Sequence, residues 1–243
     1  MNLRSERQDE RNAAQAAKYL ERLDAPREIA KNAVVLHAPR GMPAERYRLL
    51  DFRVEQICGR EGLRVVGVVS ASAGEGRSTT AMNLALSAAT AGDRRVLLLE
   101  ADFRHATLER QLGLNAGPGL AQLLAGEIGL DAAIRRLARP AMWILPAGPR
   151  EGDGALPSRS FRRVLELVKG AFDAVFVDMP ALLEAADGPI VASCCDGVVL
   201  VLRPRRSRYG YLAGAAEMLG GARVLGAVLN DAEGRGGASG AAR

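Results

Sequence analysis

The chain has 243 residues, of which 48% are hydrophobic, 25% charged and 4% aromatic. That is enough for one large α/β domain or two small ones, and it excludes a disordered polyelectrolyte or a disulfide-stapled miniature. The net charge is +5, and only three of the 33 basic residues are lysine (Lys18, Lys31 and Lys169). A basic balance suits a nucleic acid, a membrane surface or a phosphate ligand. The arginines, however, run along the whole chain, as compositional bias on a solvated surface would place them. Apolar runs such as Val198 to Leu202 fall far short of the roughly 18 residues of a spanning helix. The charged start, MNLRSERQDERN, lacks the apolar core of a signal peptide. Cys58, Cys194 and Cys195 have no metal-binding spacing, and the adjacent pair predicts buried thiols. A cytoplasmic chain is expected.

In chain order, residues 1–40 are set apart as an N-terminal extension. Ala13, Ala16, Ala17, Leu20 and Leu23 recur at helical spacing there, and Pro26 and Pro39 break up the stretch beyond them. A helix is predicted from Pro43 to Cys58, with Tyr47, Leu50, Val54 and Ile57 on one stripe. Strands are predicted at Arg64–Ser70, Val96–Leu99, Ala141–Leu145, Ala174–Val177, Gly197–Leu202 and Arg223–Leu229. Helices fall at Ser78–Ala91, Phe161–Lys169 and Tyr209–Leu219. Near-continuous apolar strands alternating with helices imply one mainly parallel central sheet covered by helices on both faces, spanning residues 41–231. Right-handed crossovers then gather the strands' carboxyl ends at one edge, where a ligand belongs. The glycine-rich tail, residues 232–243, is expected to be disordered.

The first strand is followed by Ala71-Ser-Ala-Gly-Glu-Gly-Arg-Ser-Thr-Thr80. Strand, glycine loop and a helix opened by Ser/Thr is the architecture of a P-loop. Gly74 and Gly76 let N–H groups turn inward around phosphates, and Ser78 is placed to hold Mg2+. The G-x-x-x-x-G-K-[ST] pattern is met in part, because Ala71 replaces its first glycine and Arg77 its lysine. Arginine keeps the charge but is wider, planar and forked. A glycine turn capping an ordinary helix would look similar. The acidic strand ends weigh against that: Glu100-Ala-Asp102-Phe-Arg104 ends the second strand, and Val177-Asp178-Met-Pro180 ends the strand over Ala174–Val177. An aspartate ending an apolar strand beside a P-loop serves Mg2+, and a second acidic pair can orient or deprotonate an attacking hydroxyl.

Together these segments resemble the bacterial tyrosine kinases of polysaccharide export, the CpsD/CapB type, within the MinD/ParA-like deviant-Walker ATPases. The resemblance runs from about Pro43 to Asn230. It rests on Ala73 to Thr80, Ala81-Met-Asn-Leu-Ala85, Val96 to Arg104, Phe172 to Pro180, Asp187, Asp196-Gly197 and Val224 to Asn230. It implies an ATP and Mg2+ site. Gly74, Glu75, Gly76, Arg77, Ser78 and Thr79 would hold phosphate, with Asn230 at the adenine. Ser78, Asp102 and Asp178 would serve the metal, and Arg77, Glu100 and Asp102 the chemistry, with Glu100 in the position that activates the acceptor hydroxyl. The implied partner is a membrane-anchored polysaccharide co-polymerase, or chain-length adaptor, which would recruit the chain to the inner face of the plasma membrane. Glu45 and Arg48 resemble a helix used for ring assembly into a homo-oligomer, but Asp51 reverses the charge of its second arginine.

Arg77, Ala73 in place of a proline, Glu100 in place of an aspartate, and a tail without tyrosine all point to weakened or lost autokinase activity. The scarcity of lysine gives Arg77 a second origin, in compositional bias. The four tyrosines are Tyr19, Tyr47, Tyr209 and Tyr211, and the last two open a helix, where partial packing is expected. The alternatives are a MinD/ParA-like ATPase switch and a non-catalytic regulatory subunit of a polysaccharide export complex. Nucleic-acid binding is disfavoured by scattered arginines and scarce aromatics. The cluster Arg203-Pro-Arg-Arg-Ser-Arg208 follows a strand end and could line the nucleotide edge or contact acidic lipid, but an exposed basic loop is the favoured reading.

Overall fold

A computed structural model describes residues 23–24, 28–92, 94–150, 156–204, 207 and 209–231. The spacing read between Ala13 and Leu20, the tail from Ala232, and Arg205, Arg206 and Arg208 of the basic cluster lie outside the described residues. Leu23, expected at a helical position, lies in a short strand.

The strands are β1 (Leu23–Asp24), β2 (Val65–Ser70), β3 (Val96–Glu100), β4 (Arg135–Leu137), β5 (Met142–Leu145), β6 (Ala174–Asp178), β7 (Gly197–Leu202) and β8 (Val224–Leu229). The helices are α1 (Val34–His37), α2 (Met42–Glu61), α3 (Arg77–Thr90), α4 (Leu108–Gln111), α5 (Leu120–Ala125), α6 (Leu130–Ala133), α7 (Ser158–Ala171), α8 (Asp187–Cys194) and α9 (Tyr209–Leu219). One sheet runs in the order β1-β4-β5-β3-β6-β2-β7-β8. Every pairing is parallel except the β4–β5 hairpin. The six strands expected from the sequence are all present.

Alternation along each strand divides the core between the two faces. Val65, Val69, Leu97, Leu99, Val175 and Val177 face α7, whose Phe161, Val164, Leu165 and Val168 form one helical stripe. Val66, Val68, Leu98, Phe176 and Val199 pack on the opposite face against Met82, Leu86 and neighbours on α3. Because both faces are covered, the central strands contain almost no polar residue until their carboxyl ends. Those ends lie side by side: Glu100 at the end of β3 is in register with Asp178 at the end of β6, and β2, which feeds the glycine loop, is β6's other neighbour.

Candidate functional site

The loop from Ala71 to Gly76 turns sharply between β2 and α3. Gly74 and Gly76 have φ of +76° and +92°, the left-handed region that favours glycine. A Cβ at Gly76 would stand 1.9 Å from Nδ2 of Asn230, so any larger residue would have to displace that side chain as well as adopt a left-handed backbone. The loop is tied down from three directions. Asn230 Nδ2 donates to the Glu75 carbonyl at 2.9 Å. Arg203 donates to the Gly74 carbonyl at 3.2 Å and pairs with Asp231. Glu184, just after β6, accepts the Ala73 N–H at 2.6 Å. The Glu75 side chain is buried and accepts from Ser72 N–H and the Ser207 hydroxyl.

Helix α3 begins at Arg77, and its first intrahelical bond is Thr80 N–H to the Gly76 carbonyl. The N–H groups of Arg77, Ser78 and Thr79 therefore lie at the open helix end, which favours an anion. A cleft of about 450 Å³ opens beside this end, lined by Asn32, Arg46, Tyr47, Thr79, Asn230 and Asp231 among others. Asn32 belongs to no sequence motif, yet it is fixed at this site. Its Nδ2 donates to the Thr79 hydroxyl at 3.0 Å, and its carbonyl accepts from Asn83 at 2.8 Å.

The Arg77 side chain turns back under the loop and is 7% exposed. Its NH2 donates to Asp102 Oδ2 at 2.5 Å, its Nε to Asp178 Oδ1 at 3.3 Å and its NH1 to the Ser70 hydroxyl at 3.3 Å. Asp102 Oδ1 also accepts the N–H groups of Arg104 and His105. Asp178 is fully buried. Burial pushes its pKa up to about 6, against the pull of Arg77 and the nearby Ser78 hydroxyl, with the charge of Asp102 adding to the rise. Its Oδ2 has no hydrogen-bond partner among the described residues. Glu100 faces elsewhere. Its Oε1 accepts from Thr107 and Leu108 N–H at the start of α4, and its Oε2 from Ala147 N–H. Burial raises its pKa to about 7 despite these three donors.

A hydroxyl and two carboxylates suit a hard divalent cation, and the orphaned Asp178 Oδ2 is a ready ligand. The arrangement as folded does not fit one. A magnesium ion requires oxygens at about 2.0–2.1 Å in octahedral geometry, and Arg77 already holds one oxygen of each aspartate. As folded, those two oxygens serve the guanidinium.

On α2, Arg48 pairs with Glu45 and donates to the Pro39 carbonyl at 2.6 Å. Asp51, at the charge-reversed position, turns inward and takes two bonds from Arg94, at 2.8 and 3.1 Å. Tyr211 is 44% exposed, so it is only partly packed. Asp187 caps the Leu156 N–H at 2.8 Å.

No protein-family model matches the chain. It is 33% identical over 180 residues to "Tyrosine-protein kinase CpsD" of Streptococcus agalactiae, covering 72% of this chain and 78% of that one. With "Tyrosine-protein kinase YwqD" of Bacillus subtilis it shares 30% identity over 206 residues, covering 83% and 86% respectively. "Succinoglycan biosynthesis transport protein ExoP" of Rhizobium meliloti is 31% identical over 81% of this chain but only 26% of its own length. Among solved structures, the kinase domain of the Escherichia coli tyrosine kinase ETK superposes with a TM-score of 0.77 at 22% identity, over 85% and 82% of the two chains. MinD of Pyrococcus horikoshii, solved with Mg-ADP, superposes at 0.58 and 27% identity, over 68% and 69%. A P-loop on a parallel sheet, two acidic strand ends beside it and these relatives agree: the chain belongs to the bacterial tyrosine-protein kinase family of CpsD and YwqD, on the α/β P-loop fold shared with MinD.

Proposed function

We propose that the chain binds ATP at the loop and start of α3 and acts in exopolysaccharide or capsule biosynthesis or export, with tyrosine autokinase activity reduced. The observation that carries this reading is the open N-terminus of α3 beside the cleft at Thr79 and Asn230. Backbone N–H groups of Arg77, Ser78 and Thr79 would hold the phosphates, with the helix dipole behind them. Gly74 and Gly76 keep the loop low enough for that approach, and Asn230 would turn from the Glu75 carbonyl toward the base.

Two side chains account for the reduced transfer. Arg77 is committed to Asp102 and Asp178 rather than to the phosphate position. Both oxygens of Glu100 accept backbone N–H groups, so the carboxylate at the acceptor-activating position is not presented to an incoming hydroxyl. The relation to ExoP supports a place beside a membrane-anchored chain-length co-polymerase. Among the described residues no helix is long and apolar enough to cross a membrane, so such a partner would supply the anchor.

The test is ATP binding, read by thermal shift, together with tyrosine labelling of wild type and Arg77→Lys. ATP should raise the melting temperature of both, because a ligand of the folded state stabilises it. Labelling should be weak in wild type and stronger in the lysine variant. Strong tyrosine labelling of wild type would overturn the reduced-transfer reading. Absence of any ATP shift in either protein would retire the nucleotide reading. ATP-dependent dimerisation without labelling would favour a MinD-like switch.

A further inference from the structure

The position between the ends of β3 and β6 holds a cation that belongs to the chain. The guanidinium presents donors on three nitrogens, and each nitrogen has its own acceptor: Asp178 for Nε, Ser70 for NH1 and Asp102 for NH2. A lysine ammonium is one compact point of charge and cannot distribute its donors in this way. The acceptors are themselves fixed. Ser70 donates to the Ser72 carbonyl at 2.8 Å, and Asp102 Oδ1 is occupied by the N–H groups of Arg104 and His105. The carboxylates are 2% and 0% exposed, so without a cation two buried charges would face each other uncompensated.

We propose that Arg77 is the resident cation of this site. It holds Asp102 and Asp178 in place of a divalent metal, so nucleotide binds without a metal ion, and a divalent cation enters only when Arg77 is replaced. The nucleotide half of this statement rests on the ATP-binding reading above. The metal half does not, because it concerns only the protein's own carboxylates.

The experiment compares the wild-type 243-residue chain with Arg77→Ala and Arg77→Lys, using Mn2+, Mg2+ and ADP as probes. Bound Mn2+ is counted by electron paramagnetic resonance, with and without ADP. Melting temperature is read with and without millimolar Mg2+, and ADP affinity is read in Mg2+ or in EDTA. Wild type should bind no stoichiometric Mn2+ and show no Mg2+ shift, and its ADP affinity should change less than about twofold between the two conditions. Arg77→Ala should melt lower than wild type, bind Mn2+ and recover part of its melting temperature in Mg2+. Arg77→Lys keeps a positive charge and serves if the alanine variant does not fold. It should admit Mn2+ and bind ADP about tenfold more tightly in Mg2+ than in EDTA.

One Mn2+ per wild-type chain, or an EDTA-sensitive ADP affinity in wild type, would overturn the proposal. So would failure of both variants to gain metal over wild type, since Arg77 would then not be what excludes it. Absence of ADP binding in all three proteins would sink the ATP-binding reading alone. The Mn2+ count and the Mg2+ melting response would still decide the role of Arg77.

Discussion

Acidic residues stand at both the amino and the carboxyl edge of the sheet's strands, and β6 carries one at each end. Asp173 precedes β6 and Asp196 precedes β7, while Glu100 and Asp178 end β3 and β6. At the amino edge, Asp196 accepts the Arg64 and Val65 N–H groups, both at 2.9 Å, and pairs with Lys169 at 2.5 Å. Asp173 accepts the Arg95 N–H and pairs with its guanidinium, both at 2.8 Å. The pKa of each is below the ordinary value. For Asp196, burial acts upward but is outweighed by Lys169 and the two N–H donors; for Asp173, the Arg95 pair dominates. At the carboxyl edge, burial wins, and Asp178 and Glu100 rise to about 6 and about 7. One residue class thus does two jobs. At the amino edge carboxylates stitch neighbouring strands together. At the carboxyl edge the Asp102–Asp178 pair is stripped of water and left dependent on a single guanidinium.

The largest expected effect is at that dependence. Arg77→Ala should lower unfolding free energy by about 3–5 kcal/mol, the range for breaking a buried ion pair from one side. Urea denaturation at neutral pH would show it. Adding Asp102→Asn to that variant should recover part of the loss, because one of two orphaned charges disappears. Losses that simply add would mean that Arg77 and Asp102 are not coupled, and the contrast between the edges would fail.

Asp196→Ala comes next. It removes a charged acceptor from two backbone N–H groups at the joint between β2 and β7 and should cost about 1–3 kcal/mol. Because Asp196 lies at the edge away from the loop, ATP-induced stabilisation should remain. If the ATP shift vanished while the protein stayed folded, the separation of stitching from binding would be wrong.

Much of this arrangement is legible in the sequence, and the hidden parts share a cause. The inner strands β2, β3, β5, β6 and β7 are readable because burial on both faces makes each an apolar run, and β8 because it is apolar although it lies largely exposed at the sheet's edge. The acidic ends are readable because polarity returns abruptly there. β4 is not readable: it is Arg-Arg-Leu, and the buried Arg135 is held by Glu109 and the Asn115 carbonyl, neither of them adjacent in sequence. Asn32 and Glu184 reach the loop and the start of α3 from 47 and 111 residues away, and no local periodicity announces such partners. Arg77 is visible as a residue and as a charge. Its direction is not, because that is set by the depth of Asp102 and Asp178 beneath the loop. Asp51 is the same case in reverse: spacing places it in an assembly pattern, and burial beside Arg94 turns it inward.

The smallest expected effect tests the amino edge where it is most exposed. Arg95 and Asp173 are 39% and 38% exposed, so their pair is screened by solvent, and Asp173→Asn should cost no more than about 1 kcal/mol at neutral pH. The pKa of Asp173 is lowered in the folded state relative to its ordinary value of 3.8. Its contribution is therefore complete above that value and is lost as pH falls through the folded pKa. Urea midpoints of wild type and Asp173→Asn should differ slightly at pH 7 and converge under strong acid. High salt at pH 7 should narrow the same gap, since screening acts on exposed charges. The buried Arg77 pair is shielded from that screening, so the deficit of Arg77→Ala should persist in high salt. Equal salt sensitivity at the two edges would erase the distinction between an exposed stitch and a buried resident cation.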